Sequence, residues 1–129
     1  HDHTYARGSI GQTPGRLALG EEGENVQVML VNSVSGAKMY EFSPDGWDSY
    51  SEHGVTLQRL AENTPFFQVI SVDGSRLIYE AYTADDQLYD YFEMLKGANG
   101  FKSVSRGERQ TISERRFATT GEFDNAPPL

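Results

Sequence analysis

The chain has 129 residues, 37% hydrophobic and 12% aromatic, enough for one modest core and too apolar for a disordered segment. A formal charge of −8 and a pI near 4.7 argue against nucleic acid and anionic membrane surfaces as main partners, since both call for basic patches. The absence of cysteine excludes disulfides and thiolate metal sites, and no apolar run approaches the roughly 18 residues of a membrane-spanning helix. A phosphate substrate is not excluded, because bound metal ions reverse the local charge.

In chain order, the first feature is His1-Asp2-His3-Thr4-Tyr5-Ala6-Arg7. Residues 8–24 are rich in Gly, contain Pro14 and end among glutamates, so they read as a solvated loop. Val26 to Val31 is nearly continuous apolar and β-branched, which predicts a strand buried on both faces. After a turn at Asn32–Gly36, Ala37-Lys38-Met39-Tyr40-Glu41-Phe42 alternates like a second strand and is closed by Ser43-Pro44-Asp45-Gly46. Residues 47–65 stay open between a short strand and a helical turn around Val55, Leu57 and Leu60.

The clearest pattern is a three-stranded antiparallel meander. Its strands are Phe67–Val72, Arg76–Tyr82 and Leu88–Leu95, with Asp73-Gly74 as the tight hairpin and a second turn from Thr83 to Gln87. Neither face is cleanly polar, so the sheet is expected to need cover on both sides. From Gly97 the pattern fades into an irregular tail over 97–129, with a weak helix signal from Ser113 to Phe117. The expected division is therefore 1–96, with its strands in 26–95, followed by that tail.

The chemistry concentrates at the first residues. Residues i and i+2 on extended backbone project to the same side, so His1 and His3 can serve one ion, or two ions about 3.5–4 Å apart. Neutral imidazole suits zinc, iron and similar metals. The bland alternative is a pair of surface or linker histidines. His53 lies in a polar stretch and reads as a surface residue, and the pairs Glu21-Glu22 and Asp85-Asp86 lack the spaced oxygen ligands of a calcium loop. Tyr79, Tyr82, Tyr89 and Tyr91 read as sheet packing rather than as a sugar platform. Arg7 is permanently charged and suited to holding a ligand loop or pairing with an acid.

The residues His1, His3, Tyr5 and Arg7 match a motif, Gly-His-x-His-x-Tyr-x-Arg. It resembles the last metal motif of the purple acid phosphatase branch of metallophosphoesterases. The stretches 32–41, 67–74, 79–84 and 88–90 look like the C-terminal region of bacterial calcineurin-like phosphoesterases of that branch, so the resemblance spans residues 1–96. Asp2 and Ala6 depart from the plant-type motif at positions that are not ligands.

The resemblance implies a mainly β chain, an antiparallel meander plus additional strands. It would form the C-terminal fragment of an α+β four-layer αββα sandwich. It implies a dinuclear centre of iron plus zinc, manganese or iron, with a metal-bound hydroxide attacking phosphorus in line. His1 would bind the divalent ion and His3 the iron-type ion, with Tyr5 and Arg7 supporting the ligand loop. No residue of this chain is expected to be catalytic in its own right. The remaining ligands, an Asp, an Asp-x-x-Tyr, an Asn-His and a further His, would lie upstream. The partners implied are the upstream part of the domain and a small phosphate ester, with no nucleic acid and no membrane span. A secreted or periplasmic location also follows from the resemblance, and the chain alone is expected to be inactive. Two other readings compete: a non-catalytic β-rich binding or adhesion module, and a structural domain in which His1 and His3 play no part.

Overall fold

The computed structural model describes residues 3–11, 13–16, 22–26, 28–36, 38–40, 52–97, 102–105 and 109–115. Within them the protein is mainly β, with every ladder antiparallel apart from one isolated parallel bridge between Ala61 and Arg115.

The stretch expected to be a loop is half of a long bent hairpin. β1 (Tyr5–Ile10) continues into β2 (Thr13–Arg16), and the chain returns as β3 (Glu22–Val26) and β4 (Val28–Asn32). β1 pairs with β4 in a three-stranded sheet, while β2 pairs with β3 in a six-stranded one. The register carries through the bend without a slip, with Ile10 opposite Val28 on one side and Thr13 opposite Asn25 on the other. Gly11, with φ of +71°, stands at the corner, a conformation costly for a residue with a Cβ. Strands that switch sheets at a bend are how sandwiches turn corners. This also corrects the single buried strand expected over 26–31. The run divides between two sheets, Val26 is buried, and Val28, Leu30 and Val31 are exposed because β4 is an edge. The one polar residue of the run, Gln27, falls between β3 and β4, and a single polar residue does not by itself signal a corner.

The smaller sheet has the order β4-β1-β5, where β5 (Val55–Ala61) shows the part of the open region around Val55, Leu57 and Leu60 to be a strand; residues 47–51 lie outside the described residues. The larger has the order β2-β3-β9-β8-β7-β6. Its meander is β6 (Phe66–Asp73), β7 (Arg76–Thr83) and β8 (Leu88–Lys96), as expected from the pattern. The hairpin loop sits one residue later than expected. Asp73 still pairs with Arg76, and the loop is Gly74–Ser75. Gly74 takes the first loop position with φ of +58°, which a II′ turn requires.

The stretch after Gly97, expected to be irregular, contributes β9 (Lys102–Ser105) between β8 and β3. Further on, Ile112 N–H donates to Leu88 O at 3.1 Å and Glu62 N–H to Arg115 O at 2.9 Å. Ser113–Arg115 is thus extended rather than helical; Arg116 and Phe117 lie outside the described residues. The strand expected over 37–42 is also not formed at Lys38–Tyr40, the described part, which joins no ladder.

The core lies between the sheets. Tyr5 and Ala61 from the smaller sheet meet Phe66, Tyr79, Tyr89 and Phe92 from the larger. Along β7 the buried residues are Tyr79, Ala81 and Thr83, one parity, so β7 has one covered face, while on β8 Tyr91 is buried on the other. Cover fails at the edge strand β6, where Ile70 and Val72 are 57% and 69% exposed.

On β1, side chains alternate between the core and the far face of the small sheet. Gly8 is on the far face, beside Ala6, Leu30 and Leu57, and forms the floor of a cleft of about 210 Å³. A Cβ at Gly8 would lie 2.8 Å from Thr56 O and 3.0 Å from a Val55 methyl. Backbone oxygen cannot yield as a flexible side chain does. Gly8→Ala is therefore expected to lower stability by about 1–3 kcal/mol, read as a shift of the urea midpoint. An unchanged midpoint would mean that β1 and β5 lie further apart than described.

Candidate ligand loop and the buried network behind it

His3 precedes β1 and is held by one short strap of chain. Its Nδ1 lies 2.6 Å from Lys38 O, and its ring centroid 4.8 Å from that of Tyr40. Its backbone oxygen accepts from Tyr40 N–H at 3.0 Å. A carbonyl only accepts, so Nδ1 carries the proton in this contact, and the lone pair of the neutral ring is on Nε2. Nε2 has no hydrogen-bond partner among the described residues. A ring nitrogen with a free lone pair, oriented through the other nitrogen, fits a metal ligand. His1 lies outside the described residues. Among the described residues no group of three or more His, Cys, Asp or Glu side chains could hold a metal ion. His53 is exposed, and Asp85 and Asp86 occupy the exposed turn between β7 and β8.

Behind the loop, Tyr5 and Arg7 converge on one acid that the sequence reading did not single out. Asp90 Oδ2 accepts from Tyr5 OH and from Arg7 Nε, both at 2.6 Å, and Oδ1 accepts from Tyr91 N–H at 2.9 Å. The ion pair is buried, with side-chain exposures of 3% and 4%. Tyr5 OH also lies 2.9 Å from Tyr79 OH, and Arg7 Nη1 donates to Gln58 Oε1. β1, which begins two residues after the histidine, is thereby bolted to β8 across the core.

Two β-bulges make this convergence possible. The β7–β8 register passes from Ala81↔Asp90 to Tyr82↔Leu88, leaving Tyr89 unpaired. Tyr89 and Asp90, consecutive on a strand, are therefore both buried on the core side, which regular alternation forbids. Tyr89 OH donates to Leu60 O and accepts from Arg115 N–H. The β1–β5 register likewise skips Gln58, between Arg7↔Arg59 and Gly8↔Leu57, which turns Gln58 toward Arg7.

Burial shapes the acid–base behaviour of the cluster. Desolvation, with Asp90 close by, holds the Tyr5 hydroxyl neutral far above its ordinary value of 10.0. Desolvation also pushes Tyr79 and Tyr89 up to about 12 each. Tyr79, Tyr89 and Tyr91 are buried in the sheet and Tyr82 is half-buried, as expected for packing residues.

Comparison with protein-family models, with curated proteins and with solved structures returned no match. No helix among the described residues is long and apolar enough to cross a membrane.

Proposed function

We propose that this chain is the C-terminal segment of a dinuclear, metal-dependent phosphoesterase of the purple acid phosphatase-like kind, supplying its last His-x-His motif. The observation that carries the reading is the state of His3, whose Nδ1–H is spent on Lys38 O at 2.6 Å and whose Nε2 is left for a ligand bond. The motif's other two matching residues, Tyr5 and Arg7, share one buried carboxylate oxygen, which suits a rigid platform for a ligand loop. The two ions would lower the pKa of water and neutralise charge on the phosphoryl group. His1 and His3 hold ions, Tyr5 and Arg7 hold the loop, and the remaining ligands come from the rest of an αββα domain. Apolar side chains exposed on the edge strands β4 and β6 are surfaces that such a domain would cover. The substrate is a small phosphate ester, and the parent is an exported protein.

The chain alone, given a phosphomonoester with iron, zinc or manganese, is expected to show no turnover above the metal blank. Robust turnover would show that it holds a complete centre and would overturn the ligand-donor role. The alternative, a non-catalytic binding module, draws on the same exposed strand β6. An upstream Asn-His and Asp-x-x-Tyr favour the enzyme; an upstream linker favours the module.

A further inference from the structure

We infer that the Lys38–Tyr40 strap is a positioning device that sets the tautomer and aim of the His3 ring, so that Nε2 is presented to a metal ion. This rests on the reading of His3 as a ligand and adds the residues that prepare it.

Three contacts to His3 come from two residues of the strap, Lys38 and Tyr40. Lys38 O takes the Nδ1 proton, Tyr40 N–H holds the His3 carbonyl, and the Tyr40 ring lies against the imidazole at an interplanar angle of 45°. A ring pinned at one nitrogen can still rock about that bond; an aromatic neighbour packed against it at a tilt restricts this motion. The strap is itself anchored from behind, because Asn63 N–H donates to Tyr40 O at 3.2 Å. Asn63 reaches that carbonyl with φ of +48°, a left-handed conformation that Asn tolerates better than most residues. The anchor thus runs from Asn63, just past β5, through Tyr40 to His3, and β5 is the neighbour of β1. Tyr40 is 42% exposed, and its ring centroid lies 4.8 Å from that of the imidazole, where it restrains the histidine.

A carbonyl acceptor at Nδ1 also raises the basicity of Nε2, and such partners typically govern about 10–100-fold in metal affinity. Free imidazole side chains favour the proton on Nε2, the tautomer that cannot bind a metal there. The strap reverses that preference before any ion arrives.

The test uses the whole chain, labelled with ¹⁵N at histidine, with the His3 signals assigned by their loss in His3→Gln. Long-range proton–nitrogen spectra report which ring nitrogen is protonated, and excess cobalt(II) reports which one meets a metal. In the unaltered chain His3 is expected to carry its proton on Nδ1, and cobalt to act at Nε2. Tyr40→Ala is expected to shift His3 toward the Nε2–H form and to weaken cobalt binding at His3 by about tenfold or more, with Tyr40→Phe restoring both. An Nε2 proton in the unaltered chain, or a tautomer and affinity indifferent to Tyr40→Ala, would overturn the positioning role while cobalt at His3 left the phosphoesterase reading standing. A Tyr40-dependent Nδ1 proton with no cobalt effect at Nε2 would instead overturn the ligand reading beneath it.

Discussion

Asp90→Ala is expected to lower the stability of the chain by about 3–5 kcal/mol, because it strips the partner from a buried cation. Arg7 would keep its charge at 3% side-chain exposure, with Gln58 as a neutral acceptor in place of the carboxylate. Tyr5 would lose its acceptor too, leaving Tyr79 OH as its described hydrogen-bond partner. A domain of this size holds only about 5–15 kcal/mol in total, so the variant should sit near its unfolding threshold. Urea unfolding followed by far-UV circular dichroism measures the change. The pair itself is a different matter from its half. Arg7→Met combined with Asp90→Leu removes both charges, and is expected to be distinctly more stable than Asp90→Ala, since replacing a buried pair by apolar groups is often close to neutral. A loss below about 1 kcal/mol in Asp90→Ala would mean that Arg7 reaches water or another acid.

The second large effect is alkaline unfolding. Tyr5, Tyr79 and Tyr89 have ordinary values of 10.0, and burial raises all three in the folded chain. Above pH 10 the unfolded chain therefore binds fewer protons than the folded one, and stability falls as pH rises. The contribution of these hydroxyls is fully present below pH 10 and is lost through about pH 12, the folded value of Tyr79 and Tyr89. Tyrosinate absorbance and circular dichroism recorded together should show part of the tyrosine signal appearing only as the β signal collapses. All seven tyrosines ionising while the β signal persists would contradict the buried cluster.

What could be read from the sequence followed from how local each signal is. The meander was legible because alternation, Gly74 and the acidic turn at Asp85-Asp86 all lie within one contiguous stretch. The bent hairpin was not. Its glycines and glutamates resemble loop composition, and its ladder depends on partners from 6 residues away, at Arg16 and Glu22, to 26 away, at Ala6 and Asn32. β9 failed for the same reason, since four residues between two other strands gain their order from those neighbours.

The site divides similarly. His3 stood out through the His-x-His spacing and Tyr5 and Arg7 through the resemblance, and pairing with an acid was one of two roles open to Arg7. Which acid depended on bulges at Gln58 and Tyr89, which no periodicity argument anticipates. One signal for Asp90 was present: a lone acid among Leu88, Tyr89, Tyr91 and Phe92 must be either an error of burial or a paired charge. The Lys38–Tyr40 strap left no such trace, because two of its three contacts to His3 come from backbone atoms.

Metal content of the parent polypeptide, with and without His3→Ala, addresses the proposal most directly. Purified parent is expected to carry close to two metal ions per chain and to hydrolyse a phosphomonoester. His3→Ala is expected to lose at least one ion and nearly all turnover, while its circular dichroism stays unchanged. Full metal occupancy and full activity in His3→Ala would contradict a ligand role for His3, and with it the assignment of this chain to a two-metal phosphoesterase.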